Sequence, residues 1–548
     1  MADNYDDYSR EQLLRLLRER DRRPRFGLVW ERDEIDHDLS VNNDFVALDW
    51  DAELSCGDGP QRNLIIEGDN FDALRTLRMT HAGRVKCIYI DPPYNTGNRD
   101  FIYNDRFVDK EDSYRHSKWL EFMYRRLELA KELLREDGVI FVSIDDNEVF
   151  HLGLLMEQIF GDAGSVATFI WKRRTTPDSR NLNGVSGDHE YVLCYQNGAG
   201  FRMRGRAKDL SKYTNPDGDP LGPWMSDNLT GLANAQQRPN LHYQIVHPET
   251  GLRYPPHASR GWIYGPERMA ELVKMNRILW PKKPDGRPRL KRYVTDMKSA
   301  ETGYSTVLDA PGNVEATKEL GGMLGTKIFS FPKPVGLIAQ LIEQATGPDD
   351  IVLDFFAGSG TTAHAVLKIN SEDGGRRRFI LISNTEAMIE TPDKNLCRDV
   401  CAERVRRVIA GYDDQKGQGV AGLGGGFAYL RCRRIPAATV FRGIEHAQVW
   451  TALQLIHDMA LTPYQTGLPM QAAEGARGLV IYLPKLTEAV LDALQTAIHA
   501  TGQAVVYSWQ PALLAQRLTD PRLAFEPIPA FLVHRFGARS SAAKRGRP

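Results

Sequence analysis

Apolar positions along the chain alternate between short continuous runs and longer stretches with a helical stripe. Leu64-Ile65-Ile66, the run 85–90 and the run 139–144 are bounded by turn residues, the pattern of strands buried on both faces. Residues 70–79, 113–135 and 147–160 carry the wider repeat of helices. Strand, helix, strand in this order predicts a mostly parallel α/β sheet, and a further strand is expected at 190–195. Over 196–312 no period holds, and Gly, Pro, Asn and aromatic residues dominate. Asn215-Pro-Asp-Gly-Asp-Pro220 and Tyr254-Pro-Pro-His257 mark turns there. Large apolar residues are too frequent for disorder, so an inserted, loop-rich module is expected. The α/β rhythm returns with strands at 351–353 and 379–382 and helices at 361–369 and 395–410. Strands at 478–483 and 503–509 around a helix at 485–500 predict a small C-terminal α/β domain. Residues 9–20 read as an amphipathic helix opened by a Ser9/Gln12 capping box. The expected organisation is an N-terminal arm (1–55), two halves of one α/β domain (56–195 and 313–435), the insert (196–312) and the C-terminal domain (436–548).

Composition narrows the class. The chain has 548 residues, 42% hydrophobic and 26% charged, as in ordinary soluble multidomain proteins. It has no apolar run of 18 residues, and its acidic start, Met1 to Asp7, lacks the basic region of a secretory signal. No membrane span is expected, and a bacterial or archaeal cytoplasm is. The six cysteines form no C-x-x-C pair, and Cys397 and Cys401 have no histidine nearby, so reduced thiols and no metal site are expected. Net charge is −1, but charge is uneven along the chain. Residues 165–214 hold nine Lys/Arg against four Asp/Glu, and 281–298 hold seven against two. Lys172, Arg173, Arg174, Lys282, Lys283, Arg287 and Arg289 are candidates for a polyanion such as double-stranded DNA. In the insert, Asn234, Gln236, Gln237, Arg238 and Asn240 have the chemistry of base readers.

Two segments carry the candidate chemistry. Asp91-Pro92-Pro93-Tyr94 follows a hydrophobic strand, where two prolines stop strand pairing and stiffen the backbone. That rigidity can aim the Asp91 carboxylate and the Pro92 carbonyl at one amino group, while Tyr94 offers a flat face to a base removed from a duplex. Two acceptors on an exocyclic amino group localise its lone pair for attack on a sulfonium methyl. The second segment, Val352 to Thr362, joins a strand to a helix through Asp354-x-Phe356-x-Gly358-x-Gly360, the geometry of nucleoside binding at a strand's carboxyl end. Glu386, just past the next strand, is placed to bind ribose hydroxyls.

At these residues the chain resembles the β-class adenine-N6 DNA methyltransferases, and within them the modification (Mod) subunits of type III restriction–modification systems. Asp91-Pro-Pro-Tyr-Asn-Thr-Gly97 stands before Asp354-x-Phe-x-Gly-Ser-Gly-Thr-Thr362, which is the β-class motif order. Glu67-Gly-Asp-Asn70, His189 to Leu193, Phe329-Ser-Phe-Pro-Lys-Pro334 and Asn215 to Pro220 with Gly222-Pro-Trp224 also match. The resemblance implies a Rossmann-like, circularly permuted S-adenosylmethionine-dependent fold with an inserted target-recognition module. Asp91, Pro92, Pro93 and Tyr94 would hold the target adenine. Asp69, Asn95, Phe331, Lys333, Asp354, Phe356, Gly358, Gly360, Thr361 and Glu386 would line the S-adenosylmethionine site, with Lys333 at its methionine end. A homodimer and a separate helicase–nuclease subunit are the partners it implies. N4-cytosine methylation and a non-catalytic DNA-binding subunit are the competing readings; Asp rather than Ser at 91 favours adenine, and intact motifs favour catalysis.

Overall fold

The computed structural model describes residues 8–14, 28–31, 42–57, 60–97, 101–103, 106–177, 184–257, 259–283, 285–325, 328–387, 393–414, 416–476, 478–499 and 503–537. Arg180, the arginine-rich stretch ending at Pro24 and the basic tail from Lys544 lie outside them.

Ten strands build the main sheet: β1 (Phe45–Cys56), β2 (Leu64–Glu67), β3 (Val85–Ile90), β4 (Leu134–Ile144), β5 (Ser165–Lys172), β6 (His189–Gln196), β7 (Val307–Leu308), β8 (Ile351–Asp354), β9 (Arg378–Ser383) and β10 (Phe427–Ile435). Their order is β1-β10-β2-β9-β8-β3-β4-β6-β5-β7. The run from β10 to β4 is parallel throughout, and β1, β6 and the β6–β5 pair are antiparallel. The central strands are apolar on both faces because helices cover both, and Ile65, Ile66, Ile88, Ile90, Ile140, Val142 and Leu353 are all essentially inaccessible. Helices α1 (Asn70–His81), α2 (Arg115–Leu133) and α3 (Val149–Phe160) follow β2, β3 and β4. Helices α4 (Val335–Ala345) and α5 (Thr361–Asp373) flank β8, and α6 (Glu403–Ala410) precedes β10. The predicted helix at 395–410 begins instead as a wider π-type turn, Cys397–Ala402, before α6.

Arg204–Tyr304 forms a second compact unit, narrower than the expected 196–312. The difference lies at both ends, because β6 runs to Gln196 and β7 rejoins the main sheet at Val307. This unit has its own core of Leu229, Ile245, Tyr254, Trp262, Met269, Leu272, Ile278 and Leu290. Trp224–Asp227, Arg289–Tyr293 and Ile278–Leu279 make its three-stranded sheet.

After 436 the chain forms a four-stranded sheet, Gln471–Gly475, Gly478–Leu483, Ala504–Ser508 and Leu523–Pro527. It is not a separate body: Val480, Tyr482, Tyr507 and Phe536 share one hydrophobic cluster with Phe45, Val46, Met79 and Ile435. At the other end, Ser9 N–H donates to Gln12 Oε1 at 2.8 Å and Gln12 N–H to Ser9 Oγ at 3.2 Å, completing the capping box of a helix described over 10–14. Among the described residues, no helix is long and apolar enough to cross a membrane.

Candidate active site

Topology locates the site. From β3 the chain winds outward to β4, and from β8 it winds the opposite way to β9. Because β3 and β8 are neighbours, their carboxyl ends flank a crevice at a topological switch point, where open α/β sheets bind ligands. Asp91 follows directly on β3, and Asp354 is the last residue of β8.

Pro92 and Pro93 have no N–H for a neighbouring strand, and the backbone from Asp91 to Thr96 leaves the sheet without regular structure. Trp119 Nε1 donates to the Pro93 carbonyl at 2.7 Å and pins the turn to α2. The Tyr94 hydroxyl lies 2.9 Å from Asp91 Oδ1 and 3.0 Å from Glu190 Oε2. Lys333 Nζ donates to the Tyr94 hydroxyl oxygen at 2.7 Å. It also pairs with Asp91 Oδ1 at 2.8 Å and Glu190 Oε2 at 3.3 Å. Arg173 closes the network on Glu190 Oε1 at 3.1 Å. Two carboxylates therefore meet two cations. The Lys333 ammonium also stands 4.8 Å from the centroid of the Tyr94 ring.

Lys333 and Glu190 keep 8% and 4% of their side-chain exposure, whereas Asp91 keeps 26%, so Asp91 is the member open to solvent. Both recorded bonds to Asp91 fall on Oδ1, so Oδ2 carries neither. Burial pushes the Asp91 carboxyl above its ordinary value, with Lys333 pulling it back and Glu190 adding to the rise. For Lys333, burial pulls down, but Asp91 and Glu190 outweigh it and hold the amine above its usual value. Burial, then Asp91 and Glu190, push the Tyr94 hydroxyl far up. The cluster thus holds a fixed ammonium, a hydroxyl that keeps its proton, and a carboxylate made more basic than usual.

The turn after β8 is built differently. Asp354 is 3% exposed, and its carboxylate accepts from the Phe356 N–H at 3.0 Å and the Thr362 hydroxyl at 2.5 Å. Burial pushes its carboxyl up to about 7. Gly360 has φ 77°, and a Cβ there would lie 3.0 Å from the Cys401 carbonyl oxygen. Thr361 Oγ1 accepts from the buried Arg404 at 2.6 Å. Gly358 has φ 49° and a Cβ position 3.1 Å from the Phe329 ring. Asp69 caps α1 through the Phe71 and Asp72 N–H groups, at 2.9 and 3.3 Å, and pairs with Arg126. Asn70 Nδ2 donates to the Phe355 carbonyl at 3.1 Å, tying the β2 and β8 ends together.

The structure gives the other expected site residues these partners. Lys333, expected beside the cofactor, joins the Asp91 cluster, drawn by the Asp91 and Glu190 carboxylates. Arg173, expected on phosphates, is committed to Glu190 and the Gly187 carbonyl. Asp354 and Thr361 turn inward and brace the turn. Phe356 is half-buried, with its ring centroid 6.0 Å from that of Phe122. Phe331 is 76% exposed with φ 56°, and Glu386, φ 49°, pairs with Lys394 at 2.7 Å. Asn95 is fully buried, with its Nδ2 on Glu148 Oε1. Glu190, which the sequence pattern gave no role although it sits in the His189–Leu193 motif, joins the Asp91 cluster.

The candidate DNA contacts also divide. Lys172 is exposed on β5. In the second unit Lys282, Lys283 and Arg287 are exposed, and Arg289 is exposed but bonded to Ser226. Lys291, counted in the same basic run, is buried between Asp217 at 2.6 Å and Asp219 at 2.9 Å. Arg292 pairs with Asp227. Asn234 and Gln237 bond each other's backbone in one turn, while Gln236, Arg238 and Asn240 are exposed.

Comparison with known proteins places the chain. The Mod subunit of the type III restriction–modification enzyme StyLTI from Salmonella typhimurium is 36% identical over 64% of this chain and 57% of its own length. The type II methyltransferase M.KpnI from Klebsiella pneumoniae is 32% identical over 59% of this chain and 81% of its own. The solved PvuII DNA methyltransferase (cytosine-N4-specific) overlaps only loosely, at 13% identity and a TM-score of 0.32 over 64% of this chain and 93% of that one. The chain spans under two thirds of the length of the type III Mod subunits it matches. The DNA methylase family, N6/N4 type, matches residues 85–392, which include Asp91, Tyr94, Glu190, Lys333 and the turn after β8. The chain belongs to the N6/N4 DNA methylase family.

Proposed function

We propose that the chain transfers a methyl group from S-adenosylmethionine to N6 of an adenine turned out of double-stranded DNA. The observation that carries this is the charge-balanced cluster of Asp91, Tyr94, Lys333, Glu190 and Arg173, beside the glycine turn of β8 at the switch point.

The residues around the β8 turn fit a nucleoside cofactor. Gly358 and Gly360 keep the turn tight against Phe329 and Cys401, Phe356 offers a half-buried ring, Phe331 an exposed one, and Glu386 a carboxylate. When bound, S-adenosylmethionine supplies an electrophilic methyl. The chain's own residues do the rest. Asp91 and the Pro92 carbonyl accept hydrogen bonds from the adenine amino group and draw its lone pair out of conjugation. Asp91 can do so because burial makes its carboxyl more basic while Lys333 offsets part of that rise. The amino group acquires positive charge as it reacts, and Asp91 is the adjacent group able to take the proton. Lys333 stays charged throughout, so its work is to hold Asp91 and the Tyr94 ring in place. Tyr94 stacks on the everted base from the ring face away from Lys333.

The relatives' names as Mod subunits support a place in restriction–modification, with a separate restriction subunit as partner and a second copy of this chain as dimer mate. The exposed cations of the second unit support its reading as the target-recognition module, acting on DNA in a bacterial or archaeal cytoplasm. The test is modification-sensitive single-molecule sequencing of plasmid DNA from a methylation-free host expressing the chain. N6-methyladenine at one sequence motif is expected. N4-methylcytosine would overturn the base assignment. Absence of any mark, from a folded protein supplied with its partner subunit, would overturn the activity.

A further inference from the structure

The sequence predicted no metal site, yet the fold gathers His116, Glu148 and His151 behind the catalytic loop. Their ligand atoms all lie within 4.8 Å of one another. His116 Nδ1 stands 2.6 Å from Glu148 Oε1, and His151 Nδ1 stands 2.9 Å from Glu148 Oε2. Two imidazoles from different helices thus turn the same nitrogen toward one carboxylate, with ring centroids 4.8 Å apart. The Glu148 side chain is wholly inaccessible, while His116 and His151 keep 42% and 39% of their exposure. A fully buried carboxylate is therefore flanked by two partly exposed histidines.

The ordinary structural explanations for Glu148 fall short. It occupies the N-cap position of α3, but its side chain makes no capping bond. Among the described residues, its ion-pair partners are the two histidines alone. Buried carboxylates are commonly paired with a cation or ligate a metal. Asn95, which donates to Glu148, leaves its own buried Oδ1 without a hydrogen-bond partner. One histidine and the carboxylate come from Glu148-x-x-His151, whose spacing sets both on one face of α3's first turn. The other histidine comes from the first turn of α2.

We propose that His116, Glu148 and His151 bind one divalent first-row transition-metal ion of the zinc type, with open positions for water. Two imidazoles and one carboxylate are the donor set such ions prefer. Ligand atoms around a tetrahedral ion stand roughly 3.3 Å apart for bonds of about 2.05 Å, so the His–Glu contacts at 2.6 and 2.9 Å open by about half an ångström and the widest pair, within 4.8 Å, closes by up to about 1.5 Å. The ion replaces the two Nδ1 protons. That moves the His116 proton to Nε2, which now accepts from Arg115 at 3.2 Å, so Arg115 must turn aside. The ion would join α2 to α3 and fix Asn95, the residue after Tyr94, making this a structural support for the catalytic loop.

The test is titration of untagged, metal-free protein with Co(II), followed by visible ligand-field absorption, with Zn(II) as competitor. One Co(II) per chain is expected, displaced by Zn(II). His116→Ala and His151→Ala should each weaken binding by more than about tenfold, and Arg115→Ala should strengthen it. The half-exposed histidines make folded variants the expectation, checked by an unchanged metal-free melting midpoint. Should either variant fail to fold, wild-type protein decides: Co(II) on two imidazoles gives two exchangeable, paramagnetically shifted ring N–H resonances. No Co(II) uptake, uptake unchanged in both variants, or absence of those resonances overturns the site. The readout is metal occupancy, so failure here and failure of the methyl-transfer reading are separable.

Discussion

Asp91 and Asp354 end neighbouring parallel strands, and burial raises both carboxyls, yet they do opposite work. Asp91 keeps a quarter of its exposure and meets Lys333. Asp354 is 3% exposed and meets an N–H and a hydroxyl. A carboxylate held by a cation stays ionised while still presenting an oxygen outward. One held by neutral donors inside a turn serves the backbone. The same residue type at the same edge of one sheet is thus divided into chemistry and architecture by its partners.

Two single substitutions sharpen that contrast, and a triple replacement probes the second unit. Of the single substitutions, the larger effect on methyl transfer is expected for Lys333→Met, which leaves Arg173 on Glu190 as the cluster's remaining cation. Single-turnover methyl transfer should fall about 10²-fold, with up to about 3 kcal/mol of stability lost. The Asp91 carboxyl then rises further, so the acid limb of the pH–rate profile should move to higher pH. An unmoved limb would separate Lys333 from the ionisation of Asp91.

Asp354→Asn should act on folding instead. The carboxyl lies near 3.8 ordinarily and about 7 here. Its contribution to stability is complete below the lower value and is lost as pH rises through the upper one. Asparagine removes that titration. The denaturant midpoint of the variant relative to wild type should therefore climb between about pH 4 and pH 7 and level off above, with methyl transfer reduced less than by Lys333→Met. A flat difference would mean that Asp354 is ionised in the native turn.

The smallest effect per residue belongs to the second unit. Replacing Lys282, Lys283 and Arg287 by glutamine should weaken DNA binding at all sequences and lower the salt slope by about one per residue. An unchanged slope would remove this run from the interface.

The sheet was legible where burial is two-sided. The strands at 85–90 and 478–483 fall where continuous apolar runs place them, because helices or neighbouring sheets cover both faces. β1 and β10 were not legible. Arg431, Arg433 and Arg434 make the end of β10 read as a loop, but each meets an acid from elsewhere: Asp51, Glu445 and Asp72. Charges paired across a sheet look the same in sequence as charges in water.

The catalytic site divides in the same way. Asp91 to Tyr94 is contiguous, so it stood out in the sequence as a candidate site. Glu190 and Lys333 stand 96 and 239 residues from Tyr94, and only the fold shows that they share its hydroxyl. His116 and Glu148 were hidden for the same reason, although Glu148-x-x-His151 was a local signal that could have been noticed.

The most direct measurement pairs calorimetry of S-adenosylmethionine binding with single-turnover methyl transfer, on wild type and Asp91→Ala. Methyl transfer should be abolished while cofactor affinity stays nearly intact, since Asp91 serves the base and the β8 turn serves the cofactor. Cofactor affinity lost together with activity would contradict the division of labour between the two aspartates.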